Sequence, residues 1–506
     1  MRGISLVPRQ TSCMTELNRR GLLAGIAGLG VATGLAGCGL RDSRKPIAAN
    51  AILAREESLK KSGKISHFVL NAVKSEIDLG GLIASTWTYG GALPGKLIRV
   101  NMGDRLKVAF TNSLPEPTSV HWHGLAIRND MDGVPGLTTP EVKTQKSFNF
   151  DFVVPDSGTY WFHPHSGTQL DRGLYAPLIV DDPREVVDYD AEWIVILDDW
   201  TDGVGKNPDK ILADLQVASG NSSSMGGMDG MGGMDGMGGM GGMDGGDVTY
   251  PYYLVNGRPT TDPDALLSKP GQRIRIRIIN ASADTIFDVA IASHQMRITH
   301  TDGYAVKPMM TESLRIGMGE RYDVQITVKD GVFPLVASPL GKDGVARALI
   351  RTNSGSAPEA NFKPKELLAV PLTADYLRAT DSTKLPAKQS MRTQSLVLAG
   401  NMNPYIWTIN GNTYEKTEPL IAKLGETGTL KIRNRSMMSH PLHVHGHTFQ
   451  LGKAGGDGAR KDTLLIPPMG AINVDFSASN PGKWMIHCHN AYHAEAGMMT
   501  RLEYIA

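Results

Sequence analysis

The sequence is poor in cysteine, has no surplus of charge and contains no long apolar run. Its 506 residues carry 52 lysines and arginines against 51 aspartates and glutamates, so the formal net charge is only +1. A nucleic-acid-binding protein needs a basic face, and this balance gives no electrostatic argument for one. Three cysteines cannot form a disulfide framework in a chain of this size. No apolar stretch is long enough to cross a bilayer.

The rest of the composition is that of a globular protein with two residue types in excess. Charged residues make up 20% and hydrophobic residues 41% of the chain, which excludes a disordered or fibrous protein. The length is too great for one hydrophobic core, so several domains are expected. Glycine and methionine are abundant, with 57 and 23 residues.

Residues 1–37 have the pattern of an export signal. Arg19 and Arg20 precede a short stretch of small and apolar residues, which is typical of a twin-arginine signal peptide and not of a membrane span. The four residues that end in Cys38 (Leu-Ala-Gly-Cys) resemble the bacterial lipobox. This implies a lipid anchor at Cys38 on the outer side of the cell membrane or in the periplasm. The alternative is a cleaved, soluble secretory protein. Cys488 is then the one free thiol, and metal is the usual partner of such a thiol in an oxidising compartment.

One β unit recurs three times along the chain. Each copy starts with a turn glycine, continues with period-two alternation and reaches an asparagine nine positions later. Period two is the pattern of a half-buried strand. The three starts divide the chain into units of about 150 residues, a size that suits β-sandwiches, and the fold is predicted to be mostly β. The glycine and asparagine pairs are Gly103 and Asn112, Gly271 and Asn280, and Gly425 and Asn434.

The repeats predict three consecutive domains behind a processed leader. The predicted limits are a signal peptide at 1–37, a tether at 38–65, a first domain at 66–184, a second at 185–355 with a methionine- and glycine-rich insert at 225–243, and a third at 356–506.

Eight of the 14 histidines form four His-x-His pairs, two in the first unit and two in the third. On a strand, residues i and i+2 lie on the same face roughly 7 Å apart, so one pair can ligate two neighbouring ions. Two units together could therefore enclose a metal cluster, while the middle unit, which lacks such pairs, is interpreted as a spacer. Imidazole suits copper, zinc and iron, so the pairs alone leave the metal open. The pairs are His121 and His123, His163 and His165, His443 and His445, and His487 and His489.

Cys488 indicates copper. It lies between two paired histidines, so its sulfur points to the opposite face of the strand. Two histidines, one cysteine and a weak axial thioether are the ligands of a blue-copper centre, and His440, His493 and Met498 complete that set. Alignment on the His-x-His pairs puts other residues at all four positions in the first unit, so only the third unit is predicted to have this centre. The replacements are Thr118, Pro164, Gln169 and Leu174. The four histidines with no such pattern are predicted to be structural, namely His67, His294, His300 and His447.

These elements resemble the multicopper oxidases. The matching segments are His-Trp-His-Gly from His121, His-Pro-His from His163, His-Pro-Leu-His-Val-His from His440, and His-Cys-His from His487. Over about residues 77–506 the sequence is similar to three-domain bacterial copper-tolerance oxidases of the lipoprotein type. The resemblance implies three consecutive cupredoxin-like Greek-key β-sandwich domains. It also implies four copper ions: one blue copper, one mononuclear cluster copper and one coupled dicopper pair.

The resemblance also assigns ligands and a reaction. Substrate would give four single electrons to the blue copper, and dioxygen would be reduced to water at the cluster. The implied blue-copper ligands are His440, Cys488, His493 and Met498. The implied cluster ligands are His121 and His443 for the mononuclear ion, His123, His163 and His489 for one ion of the pair, and His165, His445 and His487 for the other.

Two carboxylates are candidates for delivering protons. Asp132 matches an acidic position that the family uses near the cluster, where it could relay protons. The alternative is a plain turn residue, because Asp-Gly is a strong turn signal. Many relatives have a carboxylate directly after the second blue-copper histidine, where this chain has Ala494. Glu495 either takes over that function or is simply exposed.

A methionine falls at every third position between 225 and 243, and glycine fills most of the gaps. Glycine at this density predicts a flexible loop. Thioethers prefer Cu(I), so the tract is predicted to collect substrate copper, with Met438 as a further donor near the blue copper. The alternative is a low-complexity linker. Relatives with an internal substrate-copper site have a carboxylate near the position of Ser436. The tract methionines are Met225, Met228, Met231, Met234, Met237, Met240 and Met243.

Three functions are compatible with these features. The first is oxidation of Cu(I) to Cu(II) in copper detoxification. The second is a laccase-like oxidation of phenols, aromatic amines or Fe(II), with an open ring edge of His440 or His493 accepting electrons. The third is a non-enzymatic envelope copper-binding protein, which the complete cluster set disfavours. The expected partners are dioxygen, Cu(I) or small reducing substrates, and a membrane through Cys38, with no nucleic acid.

Overall fold

The computed structural model describes residues 45–218 and 245–506. The predicted signal peptide, the predicted lipidation site Cys38 and the methionine tract at 225–243 lie outside the described residues. The described residues form 30 strands in six sheets, which confirms the prediction of a mostly β protein. Each third of the chain contributes two sheets that pack into a cupredoxin-like β-sandwich, and we number these the first, second and third sandwich.

The first sandwich has one sheet in the order β2-β1-β4-β6 and a second in the order β3-β8-β7-β5. Side chains on a strand alternate between faces, so each sheet turns one apolar face inward, and the two faces share one core. Its loops contain two 3₁₀ helices, Asn129–Met131 and Gly167–Arg172. The strands are β1 (Ile65–Asp78), β2 (Ile83–Tyr89), β3 (Ile98–Asn101), β4 (Arg105–Asn112), β5 (His121–His123), β6 (Ser147–Val153), β7 (Gly158–His163) and β8 (Ala176–Asp181).

The second sandwich has sheets in the orders β10-β9-β12-β17-β14-β15 and β11-β19-β18-β13-β16. Helix α2 (Pro208–Ala218) follows its first strand. The strands are β9 (Ala191–Trp200), β10 (Tyr252–Val255), β11 (Ala265–Leu267), β12 (Arg273–Asn280), β13 (Phe287–Ile291), β14 (Met296–Thr301), β15 (Tyr304–Thr311), β16 (Ser313–Ile316), β17 (Arg321–Thr327), β18 (Val332–Pro339) and β19 (Ala346–Arg351).

The third sandwich has sheets in the orders β21-β20-β23-β28-β25-β26 and β22-β30-β29-β24-β27. Three 3₁₀ helices, Lys365–Leu368, Ala374–Tyr376 and Tyr414–Lys416, lie before and within it, and the short helix α3 (Ala491–Glu495) precedes its last strand. The strands are β20 (Arg392–Met402), β21 (Tyr405–Ile409), β22 (Leu420–Lys423), β23 (Thr427–Asn434), β24 (His440–Val444), β25 (Phe449–Leu451), β26 (Arg460–Lys461), β27 (Thr463–Ile466), β28 (Ala471–Ser477), β29 (Lys483–Cys488) and β30 (Met499–Ile505).

The three sequence repeats are equivalent strands of the three sandwiches, namely β4, β12 and β23. Each pairs in parallel with the first strand of its sandwich and antiparallel with a later strand. The asparagine that ends each repeat organises the following loop through its side chain. In the third sandwich, Asn434 donates to the carbonyls of Met438 and Pro467 and accepts from the backbone of Ser436. The repeat therefore encodes both a strand and the loop that follows it.

The segment predicted to be a tether, 38–65, is packed structure from residue 45 onward. Pro46 forms a bridge with Ile505 in the third sandwich. Helix α1 (Ala49–Glu57) is held by the buried carboxylate of Glu56, whose Oε1 accepts a hydrogen bond of 3.1 Å from Arg105 of the first sandwich. Residues 46–57 of the predicted tether therefore contact the first and third sandwiches, while residues 38–44 lie outside the described residues. Among the described residues, every helix is too short or too polar to cross a bilayer.

Candidate metal centre

Each His-x-His pair begins on one of two adjacent antiparallel strands in the first or the third sandwich. His121 and His123 both lie within β5, and in the other three pairs the second histidine lies just past the end of the strand. In the first sandwich, β5 pairs with β7 so that His121 is opposite His163. In the third sandwich, β24 pairs with β29 so that His443 is opposite His487. Residues two apart on a strand share a face, so His121 and His123 lie on the same face of β5. The sequence fixes this local arrangement through spacing alone.

The two strand pairs face each other, and their eight histidines meet in one pocket. The rings of His121 and His445 stack with centroids 3.8 Å apart, and those of His123 and His443 with centroids 3.9 Å apart. Both stacks join the first sandwich to the third. Three sets of ring nitrogens lie within 4.8 Å of one another, which is suitable spacing for metal ligands, and each set draws on both sandwiches. The sets are His121, His123 and His443; His123, His163 and His489; and His165, His445 and His487.

The hydrogen bonds of these rings leave nitrogen lone pairs pointing into the pocket. The Nδ1–H groups of His121, His163 and His443 donate to backbone carbonyls at 2.8 to 3.0 Å. The Nε2 atoms of these three rings are buried and have no hydrogen-bond partner. A neutral imidazole that donates through Nδ1 carries its lone pair on Nε2. Unpartnered buried acceptors of this kind are costly unless a cation binds them.

A second set of lone pairs points the same way. The Nδ1–H of His487 donates to the carbonyl of Cys488 at 2.8 Å, and that of His445 donates to Asp132. Their Nε2 atoms are 3.1 Å apart, and the Nε2 of His165 is 3.3 Å from that of His487. Burial and the neighbouring imidazoles lower the pKa of His165, His445 and His487 well below the ordinary histidine value, so the rings are neutral. The residues therefore fit a group of bound metal ions.

Two buried aspartates hold the cluster histidines from opposite sides. The carbonyl of Asp132 accepts from His121 at 2.8 Å, and its Oδ2 accepts from His445 at 3.0 Å. The carbonyl of Asp462 accepts from His443 at 3.0 Å, and its Oδ1 lies 3.4 Å from Nε2 of His123. Each aspartate thus contacts one histidine of its own sandwich and one of the other. Asp462 was not identified from the sequence. The only local feature that marks it is the run of three charged residues that it ends.

The structure places Asp132 at the cluster and also in a tight turn, so its two predicted interpretations are compatible. The turn requires Gly133, which has φ +91°, because a Cβ there would lie 1.8 Å from the carbonyl oxygen of Val120. Glu495 is at the end of α3 and lines a cavity of about 30 Å³ beside His165 and His487. Burial raises the pKa of Glu495. Glu495 is therefore turned toward the cluster and is not simply exposed.

The predicted blue-copper residues lie behind the cluster. The Sγ of Cys488 is 3.6 Å from Nδ1 of His440 and 3.7 Å from Nδ1 of His493, and the two nitrogens are 3.1 Å apart. All three side chains are fully buried. Met498 is also fully buried, and its carbonyl accepts a hydrogen bond of 3.0 Å from the backbone of Cys488. The structure thus brings the side chains of His440, Cys488 and His493 together and links Met498 to them through the backbone.

The prediction of an open ring edge at this centre is wrong. The Nε2 of His440 is 2.7 Å from the hydroxyl of Ser436, and the Nε2 of His493 donates to Oδ2 of Asp247 at 2.9 Å. Trp407 covers the ring of His493 at a centroid distance of 4.0 Å. Burial by these neighbours closes both edges. The sequence offered no signal for Asp247, which follows the methionine tract in the second sandwich.

The corresponding position of the first sandwich is filled by an ordinary hydrogen bond. Thr118 donates to Oε1 of Gln169 at 2.6 Å, where the third sandwich has His440 and His493. Leu174 is fully buried at the position of Met498. Three of the four histidines predicted to be structural, His294, His300 and His447, are hydrogen-bonded elsewhere, and His67 is exposed. His447, for example, donates to the carbonyl of His445 and contacts the hydroxyl of Tyr504.

The second sandwich is more than the predicted spacer. Gly319 has φ +83° and faces the cluster, so that a Cβ there would lie 2.8 Å from the ring of His489 and 3.0 Å from that of His123. Arg321, two residues later, forms a bidentate ion pair with Asp462 at 2.6 and 2.7 Å. The second sandwich therefore forms one wall of the pocket.

Known proteins share this organisation. Family models described as multicopper oxidase match residues 72–185, 191–355 and 386–505. The chain is 48% identical to multicopper oxidase MmcO of Mycobacterium tuberculosis over 503 residues, which cover 97% of each protein. It is 28% identical to a copper resistance protein A homolog of Pseudomonas syringae pv. tomato, covering 96% of this chain and 98% of that protein. The crystal structure of Fet3p, a multicopper oxidase that functions in iron import, superposes with a TM-score of 0.74 at 21% identity and covers 87% of this chain and 90% of that chain.

Proposed function

The chain belongs to the multicopper oxidase family and is a copper-dependent oxidoreductase, and we propose that it oxidises Cu(I) to Cu(II) with dioxygen as the electron acceptor. The observation that carries this proposal is the convergence of eight histidine rings in one pocket directly in front of a buried thiol, where five of the rings have a buried nitrogen without a hydrogen-bond partner. Four Cu(I), one dioxygen and four protons would give four Cu(II) and two waters.

We assign four copper ions to the two groups of ligands. His440, Cys488, His493 and Met498 would hold the blue copper. His121 and His443 would hold the mononuclear cluster ion; His123, His163 and His489 one ion of the coupled pair; and His165, His445 and His487 the other. Copper at these positions would supply the single-electron storage that a four-electron reduction of dioxygen to water requires.

The chain itself connects the two groups. Cys488 is covalently linked to His487 and His489 through two peptide bonds. The ring of His487 also donates to the carbonyl of Cys488 at 2.8 Å, which adds a shorter connection between the thiol residue and the cluster. An electron that arrives at Cys488 therefore has a route of a few bonds to the cluster side of the strand.

Protons would come from the two carboxylates at the pocket. Asp132 accepts from His445 and is 1% exposed, so a proton that it holds is delivered inside the site. Glu495 borders the small cavity on the other side, and its raised pKa lets it keep a proton at a higher pH than an exposed glutamate. Such a pair of acids suits a reaction that consumes protons at a buried site.

Soft donors near the covered ring of His440 support Cu(I) as the substrate. Met437 and Met469 are 55% and 64% exposed, and the backbone N–H of Met469 donates to the carbonyl of Ser436. Met438 lies in the same loop and is partly buried. Thioethers prefer Cu(I), and the seven methionines between 225 and 243 would add further donors of this kind. The name of the related copper resistance protein A homolog points in the same direction.

A laccase-like oxidation is the second candidate. A cavity of about 640 Å³ with a mainly apolar lining lies between α2 and residues 247–251. It borders Asp247, whose carboxylate accepts from the ring of His493. A phenol or aromatic amine would fit such a space, so this activity is the alternative to be measured.

We further infer that the protein is exported by the twin-arginine route and anchored through lipid on Cys38. The paired arginines and the Leu-Ala-Gly-Cys segment support this inference. The variant Cys38→Ala should move the protein from the membrane fraction to the soluble fraction. Equal fractionation of the variant and the wild type would contradict a lipid anchor.

The decisive experiment compares two substrates on one preparation. Reduced enzyme is mixed anaerobically with Cu(I), air is readmitted, and Cu(I) loss is measured against oxygen uptake, with an expected ratio of four to one. A variant with serine at the seven tract methionines should lose Cu(I) turnover and keep phenol turnover. The matched control is the double variant Asp229→Asn and Asp235→Asn, which should change neither Cu(I) turnover nor phenol turnover. If Cu(I) and phenol turnover fall together in the methionine variant, or if neither falls, the result contradicts the proposal that Cu(I) is the preferred substrate.

A further inference from the structure

Arg321 links the cluster to the second sandwich, although that sandwich supplies no cluster histidine. Its guanidinium is fully buried and pairs with both carboxylate oxygens of Asp462. It also donates to the carbonyl of Thr159 in the first sandwich at 3.0 Å. One side chain therefore contacts all three sandwiches, at the side of the pocket where Asp462 meets the histidines.

The ion pair continues to His123 through one hydroxyl. Thr463 donates to Oδ1 of Asp462 at 2.8 Å, and its oxygen is 3.1 Å from Nε2 of His123. Since that hydroxyl proton is given to the carboxylate, its oxygen accepts the Nε2–H of His123. This hydrogen bond leaves the lone pair of His123 on Nδ1, and that Nδ1 is buried without a partner. His123 is thus held in the opposite tautomer to His121 and His443.

We propose that Arg321 is a positioning residue of the copper cluster, which acts through Asp462 and Thr463 to fix the tautomer of His123 and the ring orientation of His443. Bidentate pairing is specific to the planar guanidinium, so an ammonium group cannot replace it. Partners behind metal-binding histidines set ligand orientation and basicity. The inference rests on the cluster ligands proposed above.

The test measures copper retention separately at the two groups of ligands. Arg321→Lys and Thr463→Val are loaded with copper and dialysed against a chelator series. Copper per chain is compared with the visible thiolate absorption of the blue centre. We expect both variants to bind cluster copper roughly 10- to 100-fold more weakly, with the blue centre unchanged. Thr463→Ser keeps the hydroxyl and should restore wild-type retention.

Arg275→Lys is the matched control. Arg275 is also a buried arginine of the second sandwich that pairs with an aspartate, Asp323, at 2.6 Å, and it lies outside the histidine pocket. The variant Arg275→Lys should therefore retain as much copper at both groups of ligands as the wild type. The inference is overturned if Arg321→Lys and Thr463→Val keep wild-type cluster copper, or if they lose blue and cluster copper in parallel. A wild-type protein that binds fewer than three cluster ions would instead overturn the proposed function.

Discussion

The contact of Gly319 with the cluster leads to a sharp prediction for the variant Gly319→Ala. Gly319 has φ +83°, and Gly271 in the same sandwich has φ +82°. An alanine at either position pays the cost of a left-handed backbone, about 1–2 kcal/mol. A Cβ at Gly271 would meet nothing within 4 Å, whereas one at Gly319 would meet two histidine rings. Gly271→Ala is therefore a control with the same backbone strain and no new contact.

The expected displacement follows from the distances. The new Cβ would be 2.8 and 3.0 Å from two ring atoms of His489 and 3.0 Å from one of His123. Nonbonded carbon atoms are ordinarily about 3.5–4.0 Å apart, so the rings must move by about 0.5–1 Å. Misplacement of a catalytic group by about 1 Å can reduce the rate about 100-fold. We expect turnover to fall about 10- to 100-fold in Gly319→Ala and to be kept in Gly271→Ala.

Three measurements on the two variants test this reasoning. Urea unfolding should show a loss of stability in both variants, with a larger loss in Gly319→Ala because of the added clash. Oxygen uptake should fall only in Gly319→Ala, and the thiolate absorption of the blue centre should persist in both. If Gly319→Ala is as active as Gly271→Ala, the second sandwich does not shape the cluster. If its blue centre is lost as well, the effect is global and the reasoning is refuted.

Four further outcomes are expected. Cys488→Ser should lose the visible absorption and the oxygen uptake while the cluster keeps its copper in metal analysis, and continued oxygen uptake would contradict the electron route. Asp132→Asn should slow reoxidation of the reduced enzyme by roughly 100-fold or more in stopped-flow measurements, with unchanged reduction by substrate; an unchanged reoxidation rate would leave only its turn function. Thr118→Val should destabilise the chain by about 1–3 kcal/mol in urea unfolding, because it leaves the amide oxygen of Gln169 buried without its donor. Burial raises the pKa of Asp199 from 3.8 to about 6, so the folded chain keeps a proton that the unfolded chain has lost. Stability should therefore fall by about 3 kcal/mol as the pH rises from about 4 to 6, and unfolding curves of Asp199→Asn should lack this loss.

Much of the candidate site could be predicted from the sequence because strand geometry encodes it locally. The spacing of His121 and His123 places this pair on one face of a strand without any knowledge of the fold, and His487 and His489 follow the same spacing at the end of β29. The same alternation turns Cys488 to the opposite face. The glycine-to-asparagine repeat likewise predicted three equivalent strands, which are β4, β12 and β23.

The residues that hold the histidines could not be found in this way. Asp247, Asp462 and Arg321 reach their partners across 246, 19 and 141 positions of the chain, counted to His493, His443 and Asp462. No local period links such positions, and their residue types are common at any protein surface. Burial alone makes them distinctive, and burial is a property of the assembled sandwiches.

The sequence by itself therefore indicated which side chains are the candidate metal ligands, because the pleat of a strand sets the spacing of the residues on each of its faces. Only the tertiary structure decided which ring nitrogen of each histidine points into the pocket. That choice depends on which donor or acceptor lies behind the ring, and those groups are brought there by packing between all three sandwiches. It also decided that Ser436 and Asp247 cover the ring edges of His440 and His493.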